Sequence, residues 1–360
     1  MLALAAGLLA GCADNAASSA GASSPAPAQS LAQPNGPPPE INLITGEALD
    51  EGLAAGTRPV AIMINNIQAG LPQRGISEAD AIFEMETEGG ITRFMALFAN
   101  PAAIPAVGPV RSARDQHLQF ALPLNAVFVH IGSSVYAQNL LNQFGYLDVD
   151  GYYQGTTAFV FDEARHTAGY GNEHCWYTDA ALIAAGMAAN NVPADGAATP
   201  LFCFADASDS PRLPGEGDAP SISFKFSSLS PVSLTYDEAS GRYLKTAYEQ
   251  IQLDELTGQQ LAFDNVVLLY ANVTLKPDGN CTDFDLSGGE GYYCYGGKYQ
   301  AITWEKGTAQ DPLKLYDADG QELVVNTGKS YIAVISNAYR DTLVLDTTAQ
   351  SAESAGSGQN

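Results

Sequence analysis

Positive charge is scarce in this 360-residue chain: 16 Lys and Arg stand against 40 Asp and Glu, a formal net charge of −24. A phosphate backbone is bound by basic surface, so nucleic acid is excluded as a partner. The same scarcity argues against electrostatic adhesion to anionic lipid. The few basic residues are also segregated, with Arg alone before Lys225 and every Lys from there on. Strong catalytic signatures are missing. There is no G-x-S-x-G elbow, Walker loop or H-E-x-x-H, and no two cysteines have C-x-x-C spacing. The apolar run over residues 1–11 is too short to span a bilayer as a helix.

That short run fits instead the apolar core and small-residue cleavage site of a signal peptide. Leu9-Ala10-Gly11-Cys12 matches the bacterial lipobox, in which the thiol takes a diacylglycerol, and Cys12 is the expected lipidation site. Each buried methylene contributes roughly 0.8 kcal/mol, so several acyl chains anchor stably. No Lys or Arg precedes the run, so a start upstream is expected. From Ala13 to Pro39 the chain is nearly all Ala, Ser, Pro, Gly, Gln and Asn, with Asp14 its only charge. Such a stretch cannot bury enough apolar surface to fold. A tether over 12–57 is expected, with a reach of roughly 35–40 Å, and it places the protein at the outer face of a bacterial cytoplasmic membrane.

Hydrophobic content of 46% is normal for a globular chain, and its length suggests two domains. Pro59–Asn65, Ala79–Met85, Arg93–Phe98 and Asn125–Ile131 are short apolar runs bounded by turn residues, which read as buried strands. Helical patterns cover Ser112–Leu122, Val135–Phe144 and Asp179–Ala189. Strands mixed with helices predict an α/β or α+β domain with a mixed sheet over 58–205. A Pro/Gly-rich linker follows over 206–220. Beyond it Ile222, Phe224 and Phe226 alternate with polar residues, the period of a strand. Further strand-like runs are Val232–Tyr236, Arg242–Thr246, Val266–Val273, Tyr299–Trp304, Leu313–Tyr316, Glu322–Val325 and Tyr331–Ile335. They predict a β-rich second domain, a sandwich or barrel over 221–345, and a disordered tail over 346–360. Besides Cys12 there are Cys175, Cys203, Cys281 and Cys294. An even number in an exported chain predicts two disulfides. The simplest of three pairings is Cys281–Cys294 with Cys175–Cys203, and free buried thiols are the alternative.

The densest functional signal runs from Glu84 to Arg114. It holds Glu84, Glu86 and Glu88, then Arg93, then Arg111-Ser112-Ala113-Arg114. Ser112 reads as a helix N-cap, with Asp115 its capping-box partner. Free N–H groups and two guanidinium groups at a helix start suit a phosphate or carboxylate, and Arg93 on a nearby strand converges with them. Glu84 and Glu88 are candidates to hold a Mg²⁺ shared with a phosphate. The competing reading is an acid–arginine network with a structural role. His130 ends a strand before Gly132-Ser133-Ser134, and strand ends are where α/β sites sit. His166, Glu173, His174 and Cys175 form a second cluster without a known ligand spacing, which reads as a structural loop. Gly288–Tyr299 is rich in Gly and Tyr, which reads as a hairpin over a small core.

Arg58-Pro59-Val60-Ala61-Ile62-Met63-Ile64-Asn65-Asn66, Glu88-Gly89-Gly90-Ile91-Thr92-Arg93-Phe94 and Gly108-Pro109-Val110-Arg111-Ser112-Ala113-Arg114 together resemble the YerB family of bacterial lipoproteins. Gly296-Gly297-Lys298-Tyr299 with Ile302-Thr303-Trp304 belongs to the same resemblance, which covers roughly Arg58 to Ile335. It is a domain-of-unknown-function family with N- and C-terminal domains, and it implies a two-domain envelope lipoprotein. Asn172–Cys175 departs from the family's Pro-His-Asn-like stretch. A shorter likeness is to the LytR-CpsA-Psr phosphotransferases, carried by Ala79-Asp80-Ala81 and Pro109-Val110-Arg111-Ser112. It implies arginines and a metal-bound carboxylate acting on a polyprenyl pyrophosphate. The sequence thus predicts a lipoprotein that binds an anionic ligand or envelope partner through Arg93, Arg111 and Arg114. The alternative is a phosphotransferase on a lipid-linked pyrophosphate, and whether the protein is an enzyme stays open.

Overall fold

The structure, a computed structural model, describes residues 41–346; Cys12, most of the expected tether and nearly all of the C-terminal tail lie outside them. The fold is α+β. A twelve-stranded mixed sheet runs through the molecule. Its first half is built from β1 (Val60–Asn65), β2 (Ala81–Glu86), β3 (Thr92–Phe98), β4 (Val127–His130) and β5 (Val149–Asp150). β3 pairs antiparallel with both β1 and β2, while β1, β4 and β5 run parallel. On the other side of β2 lies strand Ser330–Ser336, in parallel, and then Asn265–Leu275, Gly288–Tyr295, Lys298–Glu305 and Lys314–Tyr316. The N- and C-terminal halves therefore share one hydrogen-bonded sheet, joined where β2 meets Ser330–Ser336.

The period-two pattern explains the layering. On β1, Ala61 and Met63 enter one core while Val60, Ile62 and Ile64 enter the other. The same alternation separates Phe83 from Ile82, Leu97 from Ala96, and Ile332 from Tyr331. Strands buried on both faces read as unbroken apolar runs, which is why these segments stand out in the sequence. The first core is closed by helices α1 (Asp115–Ala121) and α2 (Val135–Phe144), through Leu118, Phe120 and Leu141. The second is closed in part by a six-stranded sheet that includes Ser221–Lys225, Pro231–Asp237 and Arg242–Ala247, which buries Ile222, Phe224, Leu234 and Tyr243 against the large sheet.

Local chemistry fixes the helix ends. Ser134 accepts a hydrogen bond from the Ala137 N–H at 3.1 Å, and Gly145 closes α2 in the left-handed region at φ 57°. Asp179 caps the helix Ala180–Ala189 through the Leu182 N–H. Ser112 does not cap α1, contrary to expectation: the helix starts three residues later and its N-cap position, Arg114, makes no side-chain cap bond. Asp115 is drawn to Lys276 at 2.9 Å, a partner 161 positions away that no local pattern reveals. Glu322–Val325 forms only isolated bridges, from Glu322 and Val325, rather than a strand. Within the expected tether, Leu43 and Ile44 are buried in the first core. Within the expected linker, Gly217–Asp218 pairs with Lys298–Tyr299.

The expected disulfides are not formed, and Cys175, Cys203, Cys281 and Cys294 are free thiols. Strand geometry explains one case. Cys294 lies opposite Val266, whereas Thr282, next to Cys281, lies opposite Leu275 on the same strand. Nine residues along a strand is roughly 30 Å, and a disulfide needs Cα atoms within about 7 Å.

Candidate functional site

The segment from Val110 to Arg114 crosses the carboxyl ends of the parallel strands. The Arg111 N–H donates to the Met63 carbonyl of β1, and the Arg111 carbonyl accepts from Ile131 just past β4. Ala113 then pairs with Ser133. This course brings Arg111 and Arg114 against Arg93, which rises from β3. The guanidinium groups of Arg93 and Arg114 share one acceptor, the Ser112 carbonyl, at 2.9 and 3.5 Å. Glu88, in the turn after β2, accepts a two-pronged pair from Arg114, with Nε–Oε1 2.5 Å and Nη2–Oε2 2.9 Å. Arg93, Arg111, Arg114 and Glu88 are thus brought together as the sequence predicts.

The cluster has more positive than negative charge at its centre. Arg93 is buried and, among the described residues, has no ion pair; burial and the neighbouring Arg114 press its pKa down. Arg111 has neither an ion pair nor a side-chain hydrogen bond among the described residues. Burial lowers its pKa, Arg114 adds to that, and Glu173 is the carboxylate that opposes it. A guanidinium does not lose its proton in a protein, so these groups remain cations with spare donors. Glu88 is held below the usual carboxylate range: burial works against this, and Arg114 overcomes it.

Two further groups belong to the cluster. His117 on α1 is fully buried with its Nε2 3.3 Å from the Arg93 carbonyl, and its Nδ1 has no partner among the described residues. Burial, with Arg93 and Arg114 beside it, brings its pKa down to about 3. Cys281 comes from the other half of the chain, at the tip of the hairpin Asn265–Asp285. Burial, then Asp278 and Glu88, push its thiol up to about 12, so it is protonated near neutrality and no nucleophile. The same hairpin is fastened to α1 by Lys276–Asp115 and by Gln116–Thr282 at 3.1 Å. No sequence signal marks Cys281 as a neighbour of the arginines or Lys276 as the partner of Asp115, because both arrive through long-range strand pairing.

Glu84 sits elsewhere, and His130, though next to the segment that carries Arg111, is taken up by other partners. Glu84 is buried on β2 and faces Lys245 of the six-stranded sheet at 3.2 Å. It also accepts from Asn66, Thr92 and Tyr331 at 2.6–2.7 Å. Burial lowers the pKa of Lys245, and Glu84 works against that. The network continues through Gln252 to Asn66 and Gln73. The His130 imidazole is sealed at the end of β4, with Nε2 2.8 Å from Asp148 and Nδ1 2.8 Å from the Gly132 carbonyl. Glu86, half-buried at the end of β2, has its pKa raised to about 7 by burial. His174 binds Asn65 at 2.5 Å, and the Cys175 thiol donates to the Gly171 carbonyl at 3.3 Å. No group of three or more metal-ligating side chains is assembled among the described residues.

The chain matches two family models, described as the N-terminal domain of a protein of unknown function (DUF3048), over residues 44–193, and its C-terminal domain, over residues 222–332. It is 27% identical over 283 residues to "Putative lipoprotein YerB" of Bacillus subtilis (strain 168), covering 77% of this chain and 81% of that one. The crystal structure of YerB protein from Bacillus subtilis superposes with a TM-score of 0.72 at 24% identity, covering 84% of this chain and 98% of that one. No helix among the described residues is long and apolar enough to cross a membrane.

Proposed function

The chain belongs to the DUF3048 family, and from that premise we propose that it is a cell-envelope lipoprotein, anchored through Cys12, that binds an anionic ligand at Arg93, Arg111 and Arg114. The anchor rests on the lipobox Leu9–Cys12 and on the similarity to a relative described as a lipoprotein. The binding site rests on one observation above all. Among the described residues, Arg111 is a half-buried guanidinium with no ion pair and no side-chain hydrogen bond, set beside two others of which Arg114 alone has a carboxylate. Guanidinium forks with free donors match phosphate and carboxylate oxygens.

The phosphotransferase reading is not carried forward. It requires Asp80, the acid of that likeness, or Glu84 in one cleft with the arginines; Glu88, which does lie there, is taken up by Arg114. Glu84 is engaged by Lys245 within the second core, and Asp80 accepts from the Ala99 backbone N–H at 2.7 Å.

The test is thermal unfolding of the full chain with phosphate or citrate, against sodium chloride of matched ionic strength. A ligand at ~100 times its dissociation constant adds about 2.7 kcal/mol, a rise of a few degrees. Arg111→Ala should abolish the rise. Equal stability in all three salts would refute the anion site.

A further inference from the structure

Tyr152 and Tyr153 are, among the described residues, the most exposed large hydrophobic side chains, at 74% and 76%. They stand on a short helical turn, Gly151–Gln154, immediately after β5. Their rings meet edge to face, with centroids 5.2 Å apart and planes at 85°, so the pair is mutually braced although it faces water. Large apolar faces left in solvent at the end of a strand have no part in the core.

Their position joins them to the arginines. The Asp150 carboxylate accepts from the Tyr152 N–H at 2.9 Å and from the Gly132 N–H at 2.7 Å. The Gly132 carbonyl in turn accepts from the Ala113 N–H at 2.9 Å, between Arg111 and Arg114. The tyrosine turn, the loop after β4 and the arginine segment are therefore one hydrogen-bonded rim at the carboxyl ends of β1, β4 and β5, where ligands of parallel sheets sit.

Building on the anion-site reading, we infer that the rim binds an anionic glycan, with the charged group on the arginines and a neighbouring sugar ring on Tyr152 and Tyr153. A sugar presents a flat C–H face that packs on an aromatic face, while its hydroxyls stay hydrated. Tyrosine suits this because its ring is apolar and its tip is polar, and it loses little entropy when ordered. A single small anion would need only the guanidinium groups; the tyrosine turn, tied to the arginine segment through Asp150 and Gly132, would serve a further residue of a polymer. The overall negative charge does not forbid this, since charges beyond about 8 Å are screened at physiological salt. It disfavours a broad anionic membrane as the occupant.

The experiment is isothermal titration of the full chain with inorganic phosphate, an oligogalacturonate of about six sugars, and a neutral dextran oligomer, with sedimentation on phosphatidylglycerol vesicles alongside. The oligogalacturonate should bind more tightly than phosphate. Tyr152→Ala with Tyr153→Ala should weaken it roughly tenfold and leave phosphate unchanged, while Arg111→Ala should weaken both. Both tyrosines lie in solvent, so this double variant should keep the wild-type melting temperature. If the tyrosine variant binds oligogalacturonate normally while Arg111→Ala does not, the glycan inference fails and the anion site stands. If neither phosphate nor oligogalacturonate binds, both fail. Dextran binding as strong as oligogalacturonate, or tyrosine-dependent binding to the vesicles in place of the glycan, would also overturn it.

Discussion

Lys245 and Glu84 pair at 3.2 Å in the second core with neither side chain accessible to water. The pair is saturated: Asn66, Thr92 and Tyr331 donate to the carboxylate, Gln252 accepts from the ammonium, and the rings of Phe94 and Tyr331 lie 5.3 Å from Nζ. Removing one partner strands a buried charge, which costs about 3–5 kcal/mol. Lys245→Ala should lower unfolding stability by that amount, while Glu84→Gln with Lys245→Met should recover most of it. Urea titrations of the three proteins decide this, and a Lys245→Ala loss below about 1 kcal/mol would contradict the account.

The site was partly legible in the sequence, and the Glu84–Lys245 pair shows why only partly. Glu84 and Glu88 look alike in a run of alternating acids, yet one ends on Lys245 in the core and the other on Arg114 at the rim. What separates them is the end of β2 at Glu86 and a partner 161 residues downstream. Arg93, Arg111 and Arg114 were legible because strand and loop punctuation place them at adjacent ends. The central strands were legible because burial on both faces writes unbroken apolar runs. Cys281, Lys276 and the tyrosine turn were not, since each is placed by strand pairing across the chain or by a loop with no periodicity.

Arg111 and Arg114 should respond unequally to truncation. Arg114→Ala leaves Glu88 without its two-pronged partner and should cost about 1–3 kcal/mol. Arg111→Ala removes a cation that has no ion-pair partner among the described residues and that Arg114 repels, so stability should change by less than about 0.5 kcal/mol. Thermal melts of the two variants in phosphate-free buffer give the comparison.

His117 sets an acid limit. It is neutral in the folded protein, with a pKa near 3 because it is buried beside Arg93 and Arg114, while the unfolded chain takes up the proton near 6.5. The unfolded state therefore binds more protons between those values. The stabilisation is complete above about pH 6.5 and is lost as pH falls toward 3, by at most about 1.4 kcal/mol per unit. Urea midpoints at pH 7 and pH 5 should differ less in His117→Gln than in the unsubstituted protein.

The thiols give a count. In a Cys12→Ser protein, Ellman's reagent should react with Cys203, which is exposed, and reach Cys175, Cys281 and Cys294 only after denaturation. A total below four thiols in denaturant would indicate a disulfide.

The parallel pairing of β2 with Ser330–Ser336 also has a consequence in time. A chain made from its N-terminus delivers β2 early, with β3 along one edge and nothing along the other. The missing neighbour is among the last segments to emerge. Until then the open edge is a ready template for another chain, so the first half cannot finish folding as it appears. Folding of this protein should depend on holding a nearly complete polypeptide unfolded, and cutting the gene between the halves should yield insoluble fragments, not two soluble modules.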